Sequence, residues 1–511
     1  MKFAQSKGLA SAVRPLKNAT PRGRAARSLR LPSIRSVVLY TAFAWASLTA
    51  GTAMAGTVIT NPDATPNDAP EADLSIQAQP TNQWTGTWAR GNLLGDIYGL
   101  RPWLNKYGIT FGLSEISEVL GNVRGGLARG ATYDGLTEMS VGLDTQKAFG
   151  LYGGTFNVSA LNIHGRDLSQ YYLGTLNTAS GIEAQDTTRL WELWYQQALL
   201  NNKLDIKVGQ QSIDQEFIVS QYAGLFVNTM FGWPGLPSYD MPSGGPAYPL
   251  SALGVRVRGQ ITPSLTALAG VFDGDPLGNN PNNLSGTNFN LHNGALFIGE
   301  LQYSINQPAE GEMVGMSSNA LPGTYKIGVW YNNESFADQR YDNTGLSLAN
   351  PATTGIAAQH HGDYSIYAVA DQMIWRPDPD EPRSLGVFAR VMGAPGDRNE
   401  VSASANVGIV LKAPFAGRDN DSAGLGLAYI KVSPYAAGLD QDQFTYNGVP
   451  YVIRGSETVL EATYQYQVNP WWQIQGDLQY TFNPGAGQNP NNPTQTMHDT
   501  FVVGVRTNIT F

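Results

Sequence analysis

The sequence predicts an all-β fold, a closed antiparallel barrel of sixteen strands that crosses a membrane. Three observations support it: apolar and polar residues alternate along many segments, short and long connections alternate between those segments, and the polar sides carry charges. In the closing stretch FVVGVRTNITF, Phe501, Val503 and Val505 share one face, and Arg506 falls on the other. Successive strand side chains point to opposite faces, so one face of each strand avoids water.

The composition agrees with a membrane β-protein. Charged residues make up 14% of the 511 residues, against roughly 25% in a typical soluble protein. Gly (57), Tyr (24) and Trp (11) are abundant. Cysteine is absent, which excludes disulfides, thiol nucleophiles and cysteine metal sites.

Residues 1–55 are predicted to be a secretory signal peptide. They contain nine Lys or Arg and no Asp or Glu, followed by the apolar stretch VVLYTAFAWASLTAG. Small residues Ala53 and Ala55 favour cleavage before Gly56, and an uncleaved anchor is the alternative. Removing nine of the 32 basic residues leaves 23 against 41 acidic ones, a net charge of −18. Nucleic acid is therefore not an expected partner.

The remaining chain divides into three parts. Residues 56–83 are rich in Pro, Asp, Asn and Thr and are predicted to be a flexible linker. Residues 84–108 are predicted to form a short periplasmic helical segment, with Ile97 and Leu100 at helical spacing. Residues 109–511 are predicted to form the transmembrane barrel.

The predicted strands are joined by connections of two kinds. Tight turns such as PS and PW alternate with long loops rich in Gly, Asn and Pro, as in barrels with short periplasmic turns and long extracellular loops. The segment 307–322 is an exception, because it is long where a short turn is expected. No run of 18 apolar residues follows the leader, so no spanning helix is predicted. The strands are predicted at 109–123, 137–149, 155–165, 187–200, 204–211, 253–262, 265–275, 295–306, 323–334, 363–377, 384–395, 400–415, 421–433, 458–469, 472–483 and 500–511.

The polar faces of these strands carry many charges, which a dry core could not hold unless they were paired. The polar side is therefore predicted to be wet. The alternative is the solvent face of a soluble, half-buried sheet, but Trp and Tyr near strand ends favour a membrane. The charged positions include Lys207, Glu300, Lys326, Asp371, Arg390, Glu461, Asp477 and Arg506.

Several blocks of residues 84–511 resemble one known family. They include RLWELWYQQ, LDIKVGQQSIDQEF, GLFVN, YPLSALGVRVRG, NIHGRDLSQYYLGTLNTASGIEA and the closing ETVLEATYQYQVNPWWQIQGDLQYTFNPG with VVGVRTNITF. These blocks are similar to the carbohydrate-selective outer-membrane porins of the OprB type. The resemblance implies a sixteen-stranded barrel in the bacterial outer membrane, in contact with its lipid, through which glucose and related sugars diffuse. It also implies that long loops fold inward to narrow the channel. The sequence does not distinguish a monomer from a homotrimer.

The connection SIDQEFIVSQYAGLFVNTMFGWPGLPSYDMPSGGPAYPL, at 212–250, is the candidate for this constriction because of its length and aromatic content. A sugar offers hydroxyls all round and weakly apolar ring faces, so charged hydrogen-bond partners and flat aromatics are expected along its path. The residues predicted to line the channel and contact sugar are Arg256, Arg258, Glu192, Trp194, Lys207, Arg390, Glu461, Asp477 and Arg506.

Other functions have weaker support. An outer-membrane barrel enzyme would need an outward nucleophile beside a histidine, and His164 is the one histidine placed on a predicted strand. A general diffusion porin without sugar selectivity and a soluble secreted β-protein are further alternatives, whereas an energy-coupled receptor would need a plug domain larger than the residues before the first strand. The pair His360/His361 and the stretches DGDPLG and DQDQ match no complete metal signature. No enzyme activity, cofactor or metal is predicted.

Overall fold

The computed structural model describes residues 86–278, 283–307, 320–379, 381–448 and 450–511, which form a closed sixteen-stranded antiparallel barrel. The predicted fold is confirmed. Strands follow one another around the barrel in chain order, and the last strand pairs with the first, so the sheet has no free edge. The barrel strands are β1 (Ile109–Arg124), β2 (Gly130–Asp144), β3 (Gly154–Gly165), β4 (Thr187–Leu199), β5 (Leu204–Gln211), β6 (Ala252–Thr262), β7 (Leu265–Asp273), β8 (Ala295–Ile305), β9 (Gly323–Asp342), β10 (Ala357–Trp375), β11 (Ser384–Gly393), β12 (Val401–Lys412), β13 (Ser422–Val432), β14 (Ser456–Asn469), β15 (Trp472–Phe482) and β18 (Thr500–Thr510). The strands β16 (Gln488–Asn489) and β17 (Asn492–Thr496) form a separate small hairpin.

The helices all lie in the connections and before β1. None of those in the described residues is long and apolar enough to cross a membrane. The α-helices are α1 (Leu100–Asn105), α2 (Thr145–Phe149), α3 (Gly235–Asp240) and α4 (Pro434–Asn447). A π-helical turn covers Ser169–Leu173, and 3₁₀ turns cover Ala223–Leu225, Thr229–Phe231, Pro242–Gly244 and Pro484–Gly487.

Some predicted segments lie outside the described residues. These are the signal peptide at 1–55, the linker at 56–83 and the part of the long connection at 308–319.

The second strand differs from its prediction at 137–149. It begins earlier, at Gly130, and ends at Asp144, where the chain turns into α2. The Asp144 carboxylate accepts hydrogen bonds from the backbone N–H groups of Gln146 (2.8 Å) and Lys147 (3.2 Å). An aspartate that caps the first free N–H groups favours a helix over further strand, so the apolar pair Ala148 and Phe149 is helical.

The closing stretch FVVGVRTNITF forms β18 and pairs with β1 on one side and β15 on the other. In this register Arg506 lies beside Glu118, and the two form a buried ion pair with 2.8 Å between Nε and Oε2. Val503 and Val505 on the other face are 41% and 53% exposed. The alternation therefore separates an apolar outer surface from a charged interior.

The connections at the two ends of the barrel differ in length, as predicted. At one end, β4 and β5 are joined by 200–203, and β6 and β7 by 263–264. At the other end, the connection between β3 and β4 covers 166–186 and that between β5 and β6 covers 212–251. We call the last two segments loop 2 and loop 3.

Candidate functional site

Loop 3 lies inside the barrel, where its aromatic residues pack against the inner wall. The rings of Phe226 and Phe231 stack with 4.5 Å between centroids. Both rings also pack against Phe388 of β11, at 5.6 and 6.1 Å. All three side chains are at least 96% buried. Loop 3, which the sequence predicts to form the constriction, thus packs its aromatic residues into an apolar cluster inside the lumen.

Arg390 of β11 is the most extensively bonded anchor of loop 3. Its guanidinium donates hydrogen bonds of 2.8 to 2.9 Å to four loop carbonyl oxygens. A guanidinium has five N–H donors in a fixed planar fork, which suits it to several acceptors at once. The four acceptors are the carbonyl oxygens of Ile218, Met230, Phe231 and Gly232.

Carboxylates on other strands hold the N–H groups of the same loop. Glu461 of β14 accepts from the backbone N–H groups of Val227 (2.6 Å) and Asn228 (3.0 Å). Asp371 of β10 accepts from those of Gln221 (3.0 Å) and Tyr222 (3.2 Å). The charged inner face therefore supplies the polar partners that this irregular loop needs inside the barrel.

Asp477 of β15 lies near Glu461 of β14, on the strand that pairs with it. Gln479 donates to Asp477 (2.8 Å) and to the carbonyl oxygen of Ala179 in loop 2 (2.7 Å). Asp477 thus belongs to the wall that holds both loops.

A second group of predicted residues lies on β4, β5 and β6. Arg256 pairs with Asp205 and donates to Glu216 of loop 3 (3.1 Å) and to Gln196 (3.1 Å). Lys207 also pairs with Glu216. Two cations of the wall therefore converge on one loop 3 carboxylate.

The other predicted members of this group are close by. Lys207 Nζ lies 4.5 Å from the centroid of the Trp194 indole, within cation–π range. The Trp194 Nε1–H donates to Glu192 (3.0 Å), which also accepts from the backbone N–H of Ser212, the first residue of loop 3 (3.0 Å). Arg258 lies opposite Asp205 in the strand register and is half-buried.

A cavity of about 2230 Å³ passes loop 3 from one end of the barrel to the other. Its lining includes loop 2 residues at the long-loop end and residues beyond β10 at the short-turn end. Of the predicted site residues, Arg506 lines this cavity. Charged residues of the described chain that line it also include Arg166, Asp167, Glu183, Asp186, Arg189, Asp214, Glu216, Lys326, Asp371, Arg376, Glu381, Glu400, Lys412 and Arg454.

Two acidic side chains of loop 2, at the long-loop mouth of the channel, have pKa values above their usual range. Burial raises the pKa of Asp167 to about 6, and repulsion by Asp186 adds to the shift. Burial also raises the pKa of Glu183 well above its usual range, although the Ser169 N–H (3.1 Å) and Oγ (3.0 Å) donate to it. The negative charge of this mouth therefore depends on pH.

Sequence reasoning missed several residues that line the passage, above all Glu216, Arg189 and Tyr248. Glu216 and Tyr248 belong to loop 3, whose path cannot be inferred from strand alternation. Arg189 stands on the buried face of β4, two residues before Trp191, but a bulge at this point makes Trp191 and Glu192 both face inward. Alternation fails at a bulge because one extra residue changes the faces of those that follow.

A closed sixteen-stranded barrel with a loop folded into a charged lumen is a porin of the outer membrane. A sequence profile described as "Carbohydrate-selective porin, OprB family" matches residues 128–511. The chain therefore belongs to the OprB family of carbohydrate-selective porins, and it is a channel for sugars.

Individual relatives agree with this assignment. The chain is 26% identical to Porin B of Pseudomonas aeruginosa over 434 residues, which cover 80% of this chain and 88% of Porin B. It is 25% identical to the putative porin QuiX of Acinetobacter baylyi over 446 residues, or 82% of this chain and 93% of QuiX. The high-pH structure of Pseudomonas putida OprB superposes with a TM-score of 0.71 at 25% identity, covering 83% of this chain and 99% of the other.

Proposed function

We propose that glucose and related neutral sugars diffuse past loop 3 and contact the charged side chains that line the cavity, with Arg506, Arg189 and Glu216 as main contacts. A sugar hydroxyl donates and accepts hydrogen bonds, so a wall carrying both guanidinium and carboxylate groups suits it. The observation that carries the proposal is that such groups line one continuous cavity at both ends of the barrel. Each contact has to be weak for the sugar to leave again. We expect binding on the order of millimolar, about 4 kcal/mol.

All but one of the remaining predicted residues fall into two groups under this proposal. Arg390, Glu461 and Asp477 shape the channel by fixing loop 3 and its wall. Arg256, Lys207, Glu192 and Trp194 hold the first turn of the loop, including Glu216, in position. Arg258 remains a predicted sugar contact on the neighbouring wall.

The experiment is sugar-dependent block of ion current through the purified porin in a planar bilayer. In the variant Arg189→Gln/Arg506→Gln, the apparent affinity for glucose should fall about tenfold, because each lost charged hydrogen bond weakens binding. A matched control is Arg418→Gln, since Arg418 lies in the 413–421 turn and pairs with Asp421 at 2.6 Å. The control should keep the wild-type affinity.

Two results would overturn the proposal. Unchanged glucose affinity in the double variant would remove Arg189 and Arg506 from the sugar path. A wild-type current that no sugar affects would favour a general diffusion porin instead.

We also propose that the mature chain reaches the outer membrane after cleavage between Ala55 and Gly56. The basic residues, the apolar stretch and the small residues before Gly56 support this site. N-terminal sequencing of protein taken from outer membranes should give Gly56 as the first residue, and a blocked or earlier N-terminus would contradict it.

A further inference from the structure

A basic pocket of about 550 Å³ lies at the long-loop end of the barrel, between the β1–β2 connection at 125–129 and the residues just before β18. We call it the rim pocket. The exposed side chains of Arg124, Arg129 and His498 line it. Within the described residues, neither guanidinium has a hydrogen-bond or ion-pair partner.

Other arginines at the long-loop end are paired with carboxylates. The pairs are Arg340 with Asp442, Arg398 with Asp397 and Arg454 with Asp440, each with 2.8 to 2.9 Å between N and O. A paired guanidinium has already used its best acceptor. The two arginines of the rim pocket differ from these, because their donors remain available to a ligand.

A bulge in β1 places Arg124 on the outer surface of the barrel. Val119 pairs with the outward Val505, and after the bulge Arg124 pairs with Phe501. Residues directly opposite each other in a sheet share a face, and Phe501 shares its face with Val505. Without the extra residue of the bulge, Arg124 would lie on the same side as the inward, buried Asn122. The outward position of this arginine is therefore built into the strand.

The rim pocket adjoins a group of outward aromatic residues. The ring of Tyr480 lies 6.4 Å from that of Phe501 and 4.7 Å from that of Phe482, between centroids. The Tyr480 hydroxyl donates to Asp499 of the pocket (3.1 Å), which also accepts from the backbone N–H of Asn483 (3.0 Å). The acid of the pocket is thus already hydrogen-bonded. Aromatic belts lie at the headgroup level of a membrane, so the pocket lies at that level too.

The connection that carries the two arginines is held in place by hydrogen bonds. The Asn122 side-chain amide donates to the carbonyl oxygens of Gly125 (3.0 Å) and Ala128 (2.7 Å). The backbone N–H of Gly126 donates to the carbonyl oxygen of His498 across the pocket (3.0 Å). A ligand therefore meets a backbone that is already ordered, which lowers the entropic cost of binding.

We propose that the rim pocket binds a phosphate group of a lipid headgroup in the outer leaflet of the outer membrane. Guanidinium groups bind phosphate through parallel N–H···O bonds, and basic pockets at this level of a membrane protein bind anionic headgroups. Leu127 of the same connection lines the channel cavity, whereas Arg124 and Arg129 line the rim pocket. The lipid site is thus separate from the path proposed for sugars.

Native mass spectrometry of the purified porin in neutral detergent measures this binding, with lipid A as the probe, since its disaccharide headgroup carries two phosphates. The variant Arg124→Gln/Arg129→Gln should bind lipid A about tenfold more weakly than the wild type, because two charged donors are lost. The matched control Lys203→Gln/Arg383→Gln removes the same charge from exposed positions at the short-turn end and should bind as the wild type does.

Two further probes separate the lipid from a free anion. Lipid A with its phosphates removed should bind the wild type about tenfold more weakly than intact lipid A. Inorganic phosphate at the same concentration should not displace lipid A, because a free ion lacks the acyl chains that hold the headgroup at the aromatic belt.

A second variant removes one charge without altering β1. Arg129→Glu lies in the connection and should also weaken the binding of lipid A about tenfold. Heat-modified migration on gels and wild-type single-channel conductance report that each variant folds.

Three results would overturn the lipid site. Lipid A might bind the arginine variants as tightly as the wild type, or the Lys203→Gln/Arg383→Gln control could lose as much affinity as they do, which would assign binding to overall charge. Displacement of lipid A by an equal concentration of inorganic phosphate would show that the pocket takes a free anion.

Discussion

The guanidinium of Arg390 donates a 2.8 Å hydrogen bond to the carbonyl oxygen of Met230, so a strand of the barrel wall holds the middle of the loop that narrows the lumen. The two residues are 160 positions apart in the chain. Three further carbonyls of loop 3 share the same guanidinium. The position of loop 3 in the lumen therefore depends on contacts within the protein itself.

Replacing Arg390 with Ala should widen the channel. Four loop carbonyls lose a charged donor, and each such bond contributes about 1.5–3 kcal/mol, so loop 3 should leave the wall part of the time. We expect larger and noisier single-channel conductance with weaker block by glucose. Arg390→Lys should behave similarly, because an ammonium cannot reproduce the planar fork. Wild-type conductance in both variants would contradict the role of Arg390 as an anchor.

Two glycines of the barrel should respond differently to an added methyl group. A Cβ at Gly426 of β13 would lie 2.8 Å from both Phe226 and Phe231, whereas one at Gly476 of β15 has no atom within 4 Å. Gly426→Ala should therefore displace the stacked rings and cost about 1–3 kcal/mol. Gly476→Ala should be neutral. Thermal unfolding monitored by circular dichroism compares the two, and equal unfolding temperatures would contradict the packing of loop 3 against β13.

The closure of the barrel should depend on the pair Glu118 and Arg506. Both side chains are at least 94% buried, with 2.8 Å between Oε2 and Nε. Removing one partner leaves a buried charge alone, at a cost of about 3–5 kcal/mol. The double variant Glu118→Gln/Arg506→Gln should thus be more stable than at least one single variant. A double-mutant cycle of urea unfolding measures the coupling, and strictly additive losses would count against it.

Ion selectivity should change between pH 7 and pH 5. The pKa of Asp167 is raised to about 6, so this carboxyl is mostly ionised at pH 7 and mostly protonated at pH 5. As the pH falls, the mouth loses negative charge, and the preference for cations over anions should decrease by about twofold. Reversal potentials in a KCl gradient measure this preference.

Two variants control the pH experiment. Asp167→Asn should weaken the pH dependence, because the amide at position 167 is neutral at both pH values. Asp397→Asn should leave it intact, since the Arg398 hydrogen bond lowers the pKa of Asp397 and keeps it ionised throughout. An unaltered pH response in Asp167→Asn would assign the effect to another group.

Strand alternation was sufficient to predict the faces of the barrel but not the partners of its charged residues. Val255 and Val257 are outward and Arg256 is inward, as the sequence indicates. The partners of Arg390 could not be predicted, because a period of two gives the side of the sheet and carries no information on how a distant loop folds back. The role of Glu216 could not be predicted for the same reason, because it depends on the path of loop 3, which brings Glu216 to Arg256 and Lys207.

The outward position of Glu115 follows from the alternation of residues along β1. It falls on the same face as Val119 in the alternating pattern of β1, where a charge is unexpected in a membrane strand. Ser117 and Thr137 on the same outer surface both donate hydrogen bonds to its carboxylate.

The strands that anchor loop 3 through Glu300, Asp371, Arg390 and Glu461 all come later in the chain than the loop itself. The contacts of these four residues with loop 3 can form only after their strands have joined the sheet. A barrel in which β8, β10, β11 or β14 had not yet paired would therefore lack contacts that hold the middle of loop 3 in the lumen.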